Sequence, residues 1–186
     1  MVVTIVDADP EWPAAFERIR SQLRDALGPT ALGIEHIGST SVPGLPSKDV
    51  IDVQVAVADE DAFEPVSAAL TTRGWRRPPG VWSDHPVPGL PADESQWRKV
   101  FLDEPAGDRR AHVHVRVAGR ANARYALLFR DFLRSHPDET EAYAALKRRL
   151  AAIAPDSDTY ADTKDPVCDL IYLAAERWAS ETSWRT

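Results

Sequence analysis

The stretch HIGSTSVPGLPSKDVIDVQVAV, residues 36–57, joins two apolar segments through a loop that is rich in Gly, Ser, Thr, Pro and Lys. In a β-strand over residues 50–57, the Val and Ile side chains at the odd positions all point to one face. Asp52 and Gln54 point to the opposite face, together with Ala56. A charged side chain inside such an apolar run needs a partner, so we expect this polar face to line a pocket.

The loop before this strand has the residue types of an anion-binding turn. Gly38 lets the backbone approach a ligand closely, and the backbone N–H groups and hydroxyls of Ser39 and Thr40 are donors for an anion. Lys48 adds a positive charge. Ser and Thr also cap ordinary turns, so the loop alone leaves ligand binding and local capping as alternatives.

Asp52 is a candidate metal ligand. Carboxylates at positions i and i+2 of a strand point the same way and hold divalent ions such as Mg²⁺, which prefers oxygen ligands. An ion between a carboxylate and a triphosphate neutralises charge and orients in-line attack. In this chain the i+2 residue is Gln54, which carries no charge and either contacts ligand or makes a structural hydrogen bond.

The rest of the chain mixes strands and helices up to about residue 120 and is helical after it. Strand patterns occupy residues 2–6, 31–38, 96–104 and 110–118. Helical patterns occupy residues 10–27, 59–74, 122–136, 138–154 and 158–180. We expect Pro166 to break or bound the last helix near its start, and the Pro-rich residues 76–96 to form a long surface loop. This order predicts an α+β fold with a helical segment over about 121–180.

Composition narrows the class of protein. The net charge is −7, with 22 basic and 29 acidic residues, which argues against a nucleic-acid partner. No apolar run approaches the length of a membrane span, and the N-terminus lacks the features of a signal peptide. The single cysteine, Cys168, cannot form an internal disulfide, so we expect a cytoplasmic protein.

Four segments carry a resemblance to a known family. They are IEHIGSTSVPGLPSKDVIDVQVAV (34–57), HVHV (112–115), FRDFLRSHPDETEAYAALKRRLA (129–151) and YADTKD (160–165). A Gly-Ser turn followed by a strand with acids at i and i+2 is the layout of polymerase-β-like nucleotidyltransferases. More specifically, the chain resembles the bacterial GrpB family from about residue 8 to residue 170.

This resemblance implies a single nucleotidyltransferase-like domain over residues 1–186, with helices packed behind a small mixed sheet. In that superfamily one strand carries two acids and a later strand carries a third. Here Asp52 matches the first acid, Gln54 stands at the second, and His114 falls at the third. These three are the predicted catalytic residues, and Asp52 and His114 are the predicted metal ligands. The chain departs from the acidic pattern that holds two Mg²⁺ ions.

Other residues are candidates for ligand contact. His36 lies beside the turn and either packs internally or contacts ligand. Lys99 and the preceding arginine point to opposite faces of their strand, so only one of them faces the pocket. Lys164 shares a helical face with a tyrosine four residues earlier, and we expect it to meet a phosphate or carboxylate. His112 lies on the same face as His114 and is a further metal candidate, and Trp82 is a candidate for stacking on a ligand.

Two classes of function fit these residues. The first is an enzyme for nucleotidyl or related phosphoryl transfer to a small-molecule acceptor, with Mg²⁺ at Asp52. The second is a binding module without turnover, for a nucleotide or a coenzyme-A-like ligand, because GrpB-like domains also occur joined to dephospho-CoA kinase. A recruited biosynthetic enzyme with other chemistry is a third alternative.

Overall fold

The structure is a computed structural model and describes residues 3–80 and 82–185. Within this range the chain forms five strands and five α-helices. The strands are β1 (Gly33–Ile37), β2 (Ile51–Val57), β3 (Trp82–Ser83), β4 (Arg98–Asp103) and β5 (Ala111–Val117). The helices are α1 (Trp12–Leu27), α2 (Phe63–Thr71), α3 (Ala121–Ser135), α4 (Pro137–Ile153) and α5 (Ser157–Thr182).

The strands make one mixed sheet in the order β1-β2-β5-β4-β3. β2 and β5 are parallel neighbours at its centre, and the other pairs are antiparallel. The apolar face of β2 packs with α1 and α2 in one hydrophobic core, as the odd-position pattern predicts. The polar face of the sheet looks toward α3. The three C-terminal helices form a second core together with the loop residues Val42, Leu45, Val87 and Trp97. The predicted α+β class, with a small mixed sheet and a helical C-terminal part, is confirmed.

Two predictions about local structure were wrong. The predicted strand over residues 2–6 is reduced, among the described residues, to one isolated bridge between Val6 and Ser47. The reason is that Val6 pairs with a residue of a loop, Ser47, and not with another strand. Val2, the first residue of the predicted strand, lies outside the described residues. Pro166 lies inside α5, which continues unbroken from Ser157 to Thr182. Packing of α5 against α3 and α4 offsets the one backbone hydrogen bond that proline cannot donate.

In the described part of the chain, none of the helices combines the length and the apolar character that a membrane crossing requires.

Candidate functional site

A cavity of about 710 Å³ lies between the polar face of the sheet and helices α3 to α5. Its walls include the turn after β1, the loop around Trp82, and the pocket-facing sides of β4 and β5. Its size is that of an ordinary small-molecule site. The polar face of β2 therefore borders an enclosed space, as the position of Asp52 predicts.

The turn after β1 brings the backbone against Asp52. Gly38 has φ 68° and ψ −175°, a conformation that essentially only glycine adopts. A Cβ atom at this position would overlap the Asp52 carboxylate and lie 2.9 Å from the Asp52 Cβ. Gly38 and Ser39 line the cavity, and the Ser41 hydroxyl donates to the Gly38 carbonyl at 2.6 Å.

Two residues predicted to touch ligand support this turn from behind. Thr40 Oγ1 donates to the Val50 carbonyl at 3.3 Å and lies 3.0 Å from His36 Nε2. The His36 ring stacks on Phe16 with centroids 4.7 Å apart. Burial lowers the pKa of His36 to about 4. His36 and Thr40 are thus buried in contacts that hold the turn, and neither belongs to the cavity wall.

Asp52 meets two imidazoles at the cavity wall. Its Oδ1 atom lies 3.3 Å from Nδ1 of His112 and 3.7 Å from Nε2 of His114. The parallel register places His112 directly beside Asp52, which is why all three side chains share one face. Burial acts to raise the pKa of Asp52, but the two imidazoles hold it well below its usual range. Burial, with a smaller effect from Lys99, lowers the pKa of His114 to about 4.

Gln54 has a structural partner instead of a place in the cavity wall. Its side chain is 1% exposed. Its Oε1 accepts from Arg116 Nη1 at 2.9 Å, and its Nε2 donates to the Ala123 carbonyl at 3.2 Å. The prediction of Gln54 as a catalytic residue is therefore corrected: the amide orients Arg116 and ties β2 to α3, which packs beside the middle of the strand.

The donor set at Asp52 does not fit a pair of Mg²⁺ ions. It supplies one carboxylate and two imidazoles, whereas Mg²⁺ prefers oxygen ligands. Gln54, the residue at the second acidic position, is engaged elsewhere. No catalytic step through Mg²⁺ follows from this arrangement.

Sequence reasoning missed Asp84, which forms ion pairs with the side chains of Lys99 on β4 and Arg116 on β5. Its carboxylate accepts from Arg116 Nε at 3.0 Å and from Asn122 Nδ2 at 3.2 Å, and it pairs closely with Lys99. Burial opposes the charge on Asp84, but Arg116 and Lys99 hold its pKa well below the usual range. Lys99 faces the cavity as predicted, yet its first partner is this carboxylate. A single Asp in a Pro-rich loop carries no periodic signal that identifies it in the sequence.

Lysines gather at the other end of the cavity. Lys48 and Lys164 line it as predicted, and Lys48 Nζ lies 5.3 Å from the ring centre of Tyr160. Lys164 Nζ lies 3.2 Å from Cys168 Sγ and 3.6 Å from an Asp165 oxygen. The helical spacing that placed Tyr160 and Lys164 on one face is confirmed, since both residues belong to the cavity wall.

Lys147 is a further residue of the cavity wall that the sequence analysis did not single out. It is 2% exposed, lines the cavity and donates to the Pro46 carbonyl. Its Nζ lies 4.8 Å from the ring centre of Tyr143. Burial and the nearby Lys164 lower its pKa to about 7. The residue that accepts from Lys147 is 101 positions away in the sequence, which the pattern of a single helix does not reveal.

The Pro-rich loop closes one side of the cavity. Trp82 lines it and packs on Phe101 with ring centroids 4.9 Å apart. His85 Nε2 lies 2.8 Å from Asp169 Oδ1 on α5. This contact joins the loop to α5. Trp82 lies on the cavity wall, where the predicted stacking on a ligand would take place.

Comparison with known proteins assigns this chain to one family. The family model described as GrpB protein matches residues 2–173. A crystal structure of a conserved GrpB protein from Enterococcus faecalis superposes with a TM-score of 0.75 at 28% identity, covering 94% of this chain and 99% of that one. The resemblance to the GrpB family found in the sequence is confirmed.

The curated relatives of this chain carry two kinds of name. A UPF0157 protein of Pseudomonas aeruginosa is 37% identical over 94% of this chain and 69% of its own length. A dephospho-CoA kinase of Mycolicibacterium paratuberculosis is 35% identical over 98% of this chain and 48% of its own length. The chain thus spans about half the length of the relatives that carry the kinase name. The match over residues 2–173 and these identities show that the chain belongs to the GrpB family.

Proposed function

We propose that the cavity binds the phosphate groups of a nucleotide and that the protein performs nucleotidyl or related phosphoryl transfer to a small-molecule acceptor. The observation that carries this proposal is the charge of the cavity wall. Lys48, Arg110 and Lys147 line it, and none of them forms an ion pair with an acid within residues 3–80 and 82–185. In a chain of net charge −7, cations collected without acidic partners favour an anionic ligand.

The other wall residues fit a phosphate-bearing molecule with a ring system. Ser39 brings a hydroxyl, and Lys164 brings a further ammonium group close to Lys147. Trp82, Tyr125 and Phe129 add aromatic surface, on which a base can stack. The enclosed volume suits a small molecule rather than a nucleic-acid chain, and the partner we propose is therefore a small molecule.

A second candidate function follows from the single carboxylate at the site. Because Gln54 leaves Asp52 without a second acid, the cavity also fits a module that binds a nucleotide or a coenzyme-A-like ligand without turnover. Because some relatives are named dephospho-CoA kinase, a coenzyme-A-like molecule is the specific ligand to test for this second function. A recruited enzyme with other chemistry would use the same cavity and release no pyrophosphate.

Titration calorimetry with ATP, CTP, GTP and coenzyme A tests the proposal. We expect at least one nucleotide to bind, and Lys147→Met to weaken that binding by about 10–100-fold, as for loss of one charged contact. Arg149→Met is the matched control, since it removes a positive charge from an exposed position on the same helix. Equal affinity in both variants, or no binding by any of the four ligands, contradicts the proposal.

A pyrophosphate-release assay separates the alternatives. Release from a bound nucleoside triphosphate in the presence of an acceptor supports transfer. Phosphoryl transfer leaves a nucleoside diphosphate instead, so tight binding with release of neither pyrophosphate nor nucleoside diphosphate, for every nucleotide and acceptor tried, supports the binding module.

Binding of a phosphate group at pH 8 should take up a proton at Lys147. In the free protein its pKa of about 7 leaves the amine mostly neutral at this pH. A neighbouring anion favours the ammonium form and raises that pKa, so up to about one proton enters per ligand. Calorimetry in two buffers of different ionisation enthalpy measures the uptake.

Lys147→Met should abolish this proton uptake, whereas Arg149→Met should retain it. Lys164, Cys168 and Arg148 are the other charged or titratable groups that act on Lys147. At pH 8 the phosphate groups of the ligand are already ionised and contribute little. The same uptake in Lys147→Met would assign the proton to another group and refute this role for Lys147.

A further inference from the structure

Asp52, His112 and His114 converge on one point at the cavity wall. One oxygen or nitrogen of each residue lies within 4.8 Å of the corresponding atoms of the other two. Two adjacent central strands, β2 and β5, carry them in fixed register, so the arrangement does not depend on a loop. All three side chains are partly shielded, with exposed fractions of 29%, 29% and 14%.

The two imidazoles of this cluster differ from the other histidines of the chain. The chain has five histidines, and the rings of His36, His85 and His136 each engage a hydrogen-bond partner. In the described chain, Nδ1 of His114 is buried without any partner. A buried polar atom without a partner calls for an explanation, and the other ring nitrogen, Nε2, is the one that faces Asp52.

The distances fit ligands that share an ion. Two ligand atoms about 2.1 Å from a metal, at tetrahedral or octahedral angles, lie about 3.0–3.4 Å apart. Asp52 Oδ1 lies 3.3 Å from one imidazole nitrogen and 3.7 Å from the other. A contraction of a few tenths of an ångström would bring the longer distance into this range.

The surroundings also suit a bound cation. Ligating histidines commonly have a carboxylate behind the second ring nitrogen, and Asp103 Oδ1 lies 3.7 Å from Nε2 of His112. Lys99, a cation that acts on His114, is paired with Asp84, which reduces its repulsion of an ion. The cavity adjoins all three ligands and leaves room for water or substrate on the open side.

We propose that Asp52, His112 and His114 bind one divalent transition-metal ion of the Zn²⁺, Mn²⁺ or Fe²⁺ class, in preference to Mg²⁺. Imidazole nitrogen is a good ligand for these ions, whereas Mg²⁺ favours carboxylate, carbonyl and water oxygens. Three protein ligands and an open side are the pattern of a catalytic or substrate-binding metal site, not of a closed structural one. The site does not depend on which anion occupies the cavity.

Calorimetry of tag-free, chelator-treated protein with ZnCl₂, MnCl₂ and MgCl₂, without nucleotide, tests the metal site. We expect one Zn²⁺ or Mn²⁺ per chain, bound at least about tenfold more tightly than Mg²⁺. Asp52→Asn, His112→Gln and His114→Gln should each weaken Zn²⁺ binding by about 100-fold or more, beyond the usual effect of an outer-shell change. His136→Gln, outside the cavity, should keep the wild-type affinity, and circular dichroism checks that each variant is folded.

A Co²⁺ spectrum identifies the ligands independently. We expect visible d–d bands without a thiolate charge-transfer band, and the same spectrum in Cys168→Ser. A thiolate band, equal affinity for Mg²⁺ and Zn²⁺, unchanged Zn²⁺ affinity in the three ligand variants, or no binding would each overturn the proposal. Because no nucleotide is present, this result is separate from the fate of the proposed transfer function.

Discussion

Asp84→Asn should lower the free energy of unfolding by about 3–5 kcal/mol, the usual cost of removing one member of a buried charge network. The reason is that Lys99 and Arg116, with side chains only 10% and 7% exposed, depend on this carboxylate. Asn keeps the shape of the side chain but removes the charge that offsets both cations. Urea unfolding at pH 7 measures the change, and Asp59→Asn, at an exposed acid, is the matched control.

A double variant tests whether the loss of stability in Asp84→Asn comes from Lys99 left without its carboxylate partner. Asp84→Asn combined with Lys99→Met should be less destabilised than the sum of the two single variants, since the double variant leaves one cation fewer without a partner. Additive effects would mean that the two side chains do not stabilise each other.

The Asp84 contribution should also disappear in acid. A carboxyl whose pKa is depressed in the folded protein adds stability above its unfolded pKa of about 4, and loses it as the pH falls through lower values. The stability difference between wild type and Asp84→Asn should therefore stay constant between about pH 6 and 8 and shrink below about pH 4. A difference that persists unchanged in acid would show that charge is not its cause.

Gly38→Ala should damage both the fold and the site. The backbone conformation of Gly38 costs about 1–3 kcal/mol for any other residue, and the added Cβ overlaps the Asp52 carboxylate. The overlap adds about 1–3 kcal/mol of overpacking and pushes Asp52 away from the two histidines. We expect a lower melting temperature together with weaker Zn²⁺ binding.

Gly44→Ala isolates the effect of the collision. Gly44 also has a positive φ, 76°, but a Cβ there meets nothing within 4 Å. This control carries the conformational cost alone, so it should be destabilised less than Gly38→Ala and should keep its metal affinity. Equal losses in both variants would show that contact between residue 38 and Asp52 has no special role.

The sequence predicted the parts of the site that local patterns determine. Alternation along β2 identified the buried and polar faces, and the position of Asp52 within an apolar run correctly indicated a pocket. Alternation along β4 placed Arg98 and Lys99 on opposite faces, and Lys99 is the one that lines the cavity. Helical spacing placed Lys164 beside Tyr160. Each of these inferences needs only the period of one element.

Residues that depend on contacts distant in sequence were missed or misassigned. Asp84 owes its role to an ion pair with Arg116, which is 32 positions away in the sequence. Lys147 donates to the Pro46 carbonyl, which is 101 positions away. Gln54 was assigned to catalysis from its place on the strand, but α3 covers it and gives it a partner 69 positions away. No local pattern contains these pairings.

The most direct test of the central claim is a crystal structure of the protein soaked with the nucleoside triphosphate that binds most tightly. The account predicts phosphate oxygens within about 2.7–3.2 Å of Lys147 and Lys164 Nζ, with the base against the aromatic wall near Trp82. A triphosphate bound outside this cavity, or inside it with its phosphates turned away from both lysines, would contradict the account.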